Sequence, residues 1–249
     1  MVVHAPNAAA RMRLITFPYA GGGPSVFSAW PRSLPSDVEL CAVLMPGRET
    51  RLLEAPIARW DGLIDQLIAT VAPWMDRPTM FFGHSLGAIV AFELARQLPA
   101  GLRPLLLHLF VSGRRAPHVL LNEPTTYNLP EPEFVRELKR LAGTPEEVLQ
   151  SPEMMEVYLP LLRADFALSE TYAYQDGAPL TIPISAYGGD TDSHVSTDDV
   201  AAWRRYTIGA FRHVTLAGGH FFLNDNRSAL LSQLTHELHA HIACLPVCR

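Results

Sequence analysis

Residues 81–95 read FFGHSLGAIVAFELA, and the way the chain turns at the serine decides the fold. The apolar run at 80–82 reads as a short buried strand, and from Gly87 apolar residues recur at helical spacing to Leu98. Between them Gly83-His84-Ser85-Leu86-Gly87 satisfies G-x-S-x-G. A serine on so sharp a strand-to-helix turn needs glycines two residues away on each side, because side chains there would crowd the passing backbones. Such a turn exposes the hydroxyl at the C-terminal end of the strand. A chemically silent Gly-Ser corner would carry the same pentapeptide, so reading Ser85 as a nucleophile depends on partners elsewhere in the chain.

Outward from this turn, short apolar runs alternate with longer segments of helical period. Strands are expected at 14–17, 40–44, 80–82, 105–111, 182–187 and 212–216, with helices at 59–74, 87–98, 198–206 and 228–244. Alternation of this kind predicts an α/β fold, a mostly parallel central sheet with helices on both faces. From about 113 to 179 the rhythm changes to helices at 132–142, 145–150 and 153–174, each starting near a proline. We read residues 1–249 as one domain carrying a helical lid insertion at about 115–178. Leu138, Leu141, Met154, Met155, Leu159, Leu162 and Phe166 are candidates to line the lid or to pack its helices together.

Composition narrows the function. The chain has 249 residues, 48% hydrophobic and 18% charged, which suits a globular enzyme rather than a disordered segment. A formal charge of -5 argues against a nucleic-acid partner, since neutralising phosphates takes clustered excess Lys and Arg. Three cysteines, Cys41, Cys244 and Cys248, imply no disulfide framework. The first residues lack the pattern of a signal peptide and no apolar run is long enough to span a bilayer, so a cytoplasmic protein without a membrane partner is expected.

A serine hydroxyl is a weak nucleophile until a base takes its proton. His220, in Ala217-Gly-Gly-His220-Phe-Phe after the last expected strand, is the candidate base because its loop returns to the C-terminal edge of the sheet. His84 should point away from Ser85 and pack beneath it. His194 reads as a loop residue and His213 as a strand residue. The third member, a carboxylate to hold the imidazole, belongs after the penultimate strand in Tyr187-Gly-Gly-Asp190-Thr-Asp192-Ser-His-Val195. Asp192 and Asp190 compete there. Asp192 is favoured because it stands three residues after Gly189 and three before Val195; the loser would be a turn carboxylate capping backbone N–H groups.

Acyl chemistry through serine also needs donors for an oxyanion. One is the backbone N–H of Leu86, after the nucleophile, and the other lies in Phe17-Pro-Tyr-Ala20-Gly21-Gly-Gly-Pro24, with Ala20 preferred and Gly21 next. The glycine run lacks a Walker or dinucleotide signature, and His236-Glu-Leu-His-Ala-His241 lacks H-E-x-x-H spacing, so it reads as a solvated helix face and no metal site is expected.

Taken in order, FPYAGGG, MPGRETRL, GHSLGA, the helical insertion, YGGDTDSHV and GGHFFL resemble the type II thioesterases of polyketide and nonribosomal peptide biosynthesis, members of the α/β-hydrolase superfamily. The resemblance spans 17–224. It implies an α/β-hydrolase fold; Ser85, Asp192 and His220 as catalytic triad; and the Ala20 and Leu86 N–H groups as oxyanion hole. It further implies hydrolysis of acyl thioesters on the phosphopantetheine arm of an acyl or peptidyl carrier protein, with no cofactor of the enzyme's own; a monomer is the default expectation. An editing role is implied over two alternatives: release of finished medium-chain acyl groups, or a catalytically silent binding protein. Because carrier proteins are acidic, a local basic face is expected, with Arg48, Arg51, Arg114 and Arg115 as candidates.

Overall fold

The computed structural model describes residues 1–119, 124–141 and 143–246. Its sheet is built from β1 (Val2–His4), β2 (Met12–Phe17), β3 (Val38–Ala42), β4 (Thr79–His84), β5 (Leu106–Ser112), β6 (Ile184–Gly189) and β7 (Phe211–Leu216). The seven strands lie in the order β1-β3-β2-β4-β5-β6-β7, and every pairing is parallel except the β1–β3 edge. β1 escaped the sequence reading: three residues carry too little periodicity to register, and it forms only as an antiparallel edge on β3.

Helices α1 (Leu63–Val71), α2 (Leu86–Gln97), α3 (Glu131–Leu141), α4 (Glu146–Gln150), α5 (Pro152–Glu170), α6 (Thr197–Ala201), α7 (Phe222–Asp225) and α8 (Arg227–Cys244) complete the chain. The helix expected at 59–74 begins later, at Leu63, behind a left-handed Gly62. The one expected at 153–174 ends at Glu170, and Ala142, expected to end another, lies outside the described residues.

Strand alternation divides the core. On β4, Phe81 faces one cluster with Ile15, Leu67 and Ile89, whereas Phe82 faces another with Leu14, Trp30 and Leu234. Helices α1, α2 and α6 thus cover one face of the sheet and α8 the other. Full burial of each of these phenylalanines contributes about 1.5–3 kcal/mol. Helices α3, α4 and α5, between β5 and β6, bury Phe134, Leu138, Leu149, Met155 and Leu162 among themselves. Trp60 Nε1 ties this group down by donating to the Leu168 carbonyl at 2.8 Å.

The register brings the site together. Phe17 pairs with Gly83, His84 with Ser112, Ser112 with Tyr187 and Gly189 with Leu216. Five parallel strands therefore end level, and the loops that follow them open at one edge of the sheet. No helix among the described residues is long and apolar enough to cross a membrane.

Candidate active site

Ser85 joins β4 directly to α2 with φ 52° and ψ -115°, a conformation that L-residues rarely adopt. It is held there because Ser85 N–H donates to the Ser112 carbonyl at 2.8 Å and Ala88 N–H to the Ser85 carbonyl at 3.0 Å. The flanking glycines are sterically required. A Cβ on Gly83 would strike the backbone of Gly87, and one on Gly87 would strike the carbonyls of Phe17 and Pro18.

The Ser85 hydroxyl meets His220 Nε2 at 3.1 Å, and His220 Nδ1 lies 2.8 Å from Asp192 Oδ2. A carboxylate can only accept, so Nδ1 carries the proton and Nε2 is left to accept from Ser85. The Asp192 side chain is fully buried (0% exposed). Burial raises its pKa, but the His220 hydrogen bond and charge, with the His194 and Val195 N–H groups, outweigh burial and hold the carboxyl below its ordinary range. Those two N–H groups donate to Oδ1 at 2.9 and 3.2 Å. Asp190 is exposed and its Oδ1 accepts from Gly218 N–H at 2.8 Å, tying the β6 turn to the β7 turn away from the imidazole.

His84 is buried behind the nucleophile, with Nδ1 2.9 Å from Ser112 Oγ and its ring 5.3 Å from that of His220. Burial, reinforced by the nearby His220 charge, drives its pKa well down, so it packs as a neutral ring. The loop after β2 supplies Ala20 beside Ser85 in the same pocket. Among the described residues neither the Ala20 nor the Leu86 N–H donates a hydrogen bond within the chain, whereas Gly21 N–H is taken by Asp165 Oδ2 at 2.7 Å. Of the two amides that compete in this loop, Gly21's is therefore occupied within the chain, whereas Ala20's makes no hydrogen bond among the described residues.

Ser85 and His220 line a cavity of about 140 Å³ with Tyr19, Phe166, Leu138 and Leu141. Of the insertion residues read as lining a lid or packing its helices together, these last three line the cavity. Met155 and Leu162 fill the core of the insertion instead, and Met154 is exposed. His194, expected as a plain loop residue, also lines the cavity, with its ring 6.1 Å from His220.

The four arginines expected to form a basic face each meet an acceptor within the chain, and of them only Arg48 is withdrawn from the surface into a buried ion pair. Arg48 is buried against Asp165, Arg51 pairs with Glu54, Arg114 donates to Ser169 and Arg115 to the His194 carbonyl. Burial, with Arg115's charge, lowers the Arg114 pKa to about 10. Arginines near a loop edge were read as exposed, but each found an acceptor within the chain. The tail on α8 also departs from a wholly solvated face, since His241 Nε2 lies 3.1 Å from Nδ1 of the buried His108.

A serine on a strained strand-to-helix turn, meeting a histidine and a carboxylate from the loops after β7 and β6, is the arrangement of a serine hydrolase of the α/β-hydrolase fold. Within that class the chain belongs to the thioesterase domain family, whose profile matches residues 12–238. It is 38% identical over 237 residues to the gramicidin S biosynthesis protein GrsT of Aneurinibacillus migulanus, covering 95% of this chain and 93% of that one. It is 40% identical to the thioesterase PikA5 of Streptomyces venezuelae, covering 94% and 83% respectively. Among solved structures it superposes on RedJ, a thioesterase of the prodiginine pathway in Streptomyces coelicolor, with a TM-score of 0.84 and 34% identity over 92% of this chain and 91% of that one.

Proposed function

We propose that this protein is an editing thioesterase that removes acyl groups from the phosphopantetheine arms of carrier proteins in polyketide or nonribosomal peptide biosynthesis. The observation that carries the reading is the relay from Ser85 Oγ to His220 Nε2 at 3.1 Å and from His220 Nδ1 to Asp192 Oδ2 at 2.8 Å, at the wall of a cavity that Tyr19, Leu138, Leu141 and Phe166 also line.

Ser85 Oγ attacks the thioester carbonyl as its proton passes to His220 Nε2. Charge builds on the carbonyl oxygen, where the Ala20 and Leu86 N–H groups receive it; one such donor is worth about 10²–10³ in rate. Asp192 keeps the imidazole in the tautomer that can accept and steadies the imidazolium. Collapse breaks the C–S bond. The thiolate is a good leaving group, and it takes the proton from the imidazolium as it departs as the free thiol, leaving the acyl group on Ser85 and His220 neutral again. Water, giving its proton to His220, then releases the acid and frees the serine.

Helices α3–α5 act as the lid over the acyl group. The cavity volume of about 140 Å³ is well below the roughly 300–1,000 Å³ of pockets that enclose drug-sized ligands, which supports short acyl groups as substrates and hence editing over release of long products. Comparing turnover of acetyl- and propionyl-carrier protein with dodecanoyl-carrier, free acyl-CoA and nitrophenyl esters tests this reading. Short carrier-bound groups should turn over fastest by kcat/KM, and a preference for the long chain would favour product release.

A further inference from the structure

The segment Met45-Pro46-Gly47-Arg48-Glu49 has no part in the triad, and Asp165 is the one carboxylate in the stretch LLRADFAL on α5. The structure joins them. Arg48 and Asp165 are 3% and 0% exposed and form a forked ion pair, Nη2 to Oδ1 at 2.8 Å and Nη1 to Oδ2 at 2.9 Å. Taking two charges out of water costs several kcal/mol per ion, a cost repaid only when every remaining polar site is used. Here two further bonds of the pair go to one place, while Arg48 Nε faces the Pro46 carbonyl at 3.5 Å. Asp165 Oδ2 accepts from Gly21 N–H at 2.7 Å, and Arg48 Nη1 also donates to the Gly22 carbonyl at 2.8 Å. Glu49 Oε1 adds a third hold by accepting from Ser25 N–H at 2.9 Å.

These bonds fall on the residues immediately after Ala20. Gly21 is left-handed at φ 78°, and a Cβ there would sit 2.6 Å from Leu162 Cδ2 on α5. The turn that aims the Ala20 peptide is therefore fixed from two sides, by the Arg48 segment and by the insertion helix that covers the cavity. We infer that Arg48 and Asp165 are positioning residues of the reaction: their buried ion pair sets the Tyr19–Gly22 turn so that the Ala20 N–H faces the oxyanion, and it makes that donor depend on α5 being docked. The inference rests on the reading of Ala20 as an oxyanion donor given above. It also explains why charged groups occupy this place, since an apolar pair could fill the volume but could not hold both a backbone donor and a backbone acceptor.

The test is the double variant Arg48→Met/Asp165→Leu, which removes both charges together and so leaves neither buried alone. Its melting temperature, its kcat and KM on an acyl-carrier thioester, and its affinity for a trifluoromethyl ketone analogue of the substrate are measured. That ketone accepts the Ser85 oxygen at its carbonyl carbon while the serine proton moves to His220, leaving an oxyanion in the same hole. The inference expects a roughly 100-fold fall in kcat with KM changed less than about threefold, and a parallel loss of ketone affinity. Affinity for the unreactive thioether analogue should be unchanged.

Arg48→Lys provides a second route if the double variant does not fold. A lysine keeps the charge but cannot bridge Asp165 and the Gly22 carbonyl as a fork does, so at least a tenfold loss in kcat and ketone affinity is expected. Folded variants with kcat and ketone affinity within threefold of the parent overturn the inference. Ser85→Ala, assayed alongside, separates the two readings: if it abolishes turnover while the ion-pair variants remain fully active, the positioning role alone falls. If Ser85→Ala stays active, the mechanism beneath it falls as well.

Discussion

Replacing Asp192 with Asn should disable the enzyme through the tautomer of His220 rather than through lost structure. Asp192 Oδ1 accepts two backbone N–H groups, from His194 and Val195, while Oδ2 faces His220 Nδ1. An asparagine must keep its oxygen toward the two N–H donors, so its NH2 is turned toward Nδ1. Two donors cannot face each other. The imidazole then carries its proton on Nε2, donates toward Ser85 and can no longer accept the serine proton. A triad in the wrong tautomer loses about 10⁴-fold in kcat, equivalent to about 5.5 kcal/mol of transition-state stabilisation. Asp190→Asn is the matched control: Asp190 Oδ1 accepts only from Gly218 N–H at an exposed turn, a bond that an amide oxygen can keep, so its kcat should stay within about threefold. The assay is thiol release from an acyl-pantetheine or acyl-carrier thioester, with circular dichroism to verify the fold. An Asp192→Asn enzyme within tenfold of the parent, or a larger loss in Asp190→Asn, would refute the reasoning.

Strain at the nucleophile should appear in stability: Ser85→Gly relieves φ 52° and should melt a few degrees above Ser85→Ala, a difference of roughly 1 kcal/mol, with both variants inactive. Gly87→Ala places a methyl group on the Phe17 and Pro18 carbonyls, which cannot retreat without moving β2, and should cost upwards of about 3 kcal/mol by urea denaturation. Acid sensitivity should trace in part to His108, whose pKa burial, helped by the His241 charge, lowers to about 3. Its depressed value means that the unfolded chain takes up the proton first, so stability is lost as pH falls from about 6.5 toward 3. Between pH 7 and 5 the parent should lose about 2 kcal/mol more than His108→Leu, and equal losses would contradict the assignment.

What could be read from the sequence divides along physical lines. The turn at Ser85 was legible because steric need writes itself locally: only glycine fits where Gly83 and Gly87 pass neighbouring backbone. His220 and the Asp190–Asp192 loop could be assigned to one edge because parallel strands all end there, and pattern alone locates the strands. Choosing Asp192 took more, since both aspartates sit in the same loop and only the fold shows which one points at the imidazole. β1 was invisible because its three residues gain their structure from β3 rather than from any pattern of their own. Arg48 was misjudged for a related reason. An arginine beside a loop reads as solvated, and its partner Asp165 lies 117 residues further along, on a helix whose position the sequence does not reveal. The isolated carboxylate in LLRADFAL was the available signal, because a charge among buried apolar residues must be paired.

The central claim is that Ser85 takes acyl groups from a carrier's pantetheine arm and passes them to water. Mass spectrometry of a panel of acyl-loaded carrier proteins, before and after exposure to the enzyme and to its Ser85→Ala variant, tests it most directly. The account predicts that the parent enzyme returns each short-chain carrier to its free-thiol mass and that the variant leaves every carrier loaded. Carriers left loaded by the parent, or unloaded equally fast by the variant, would contradict it.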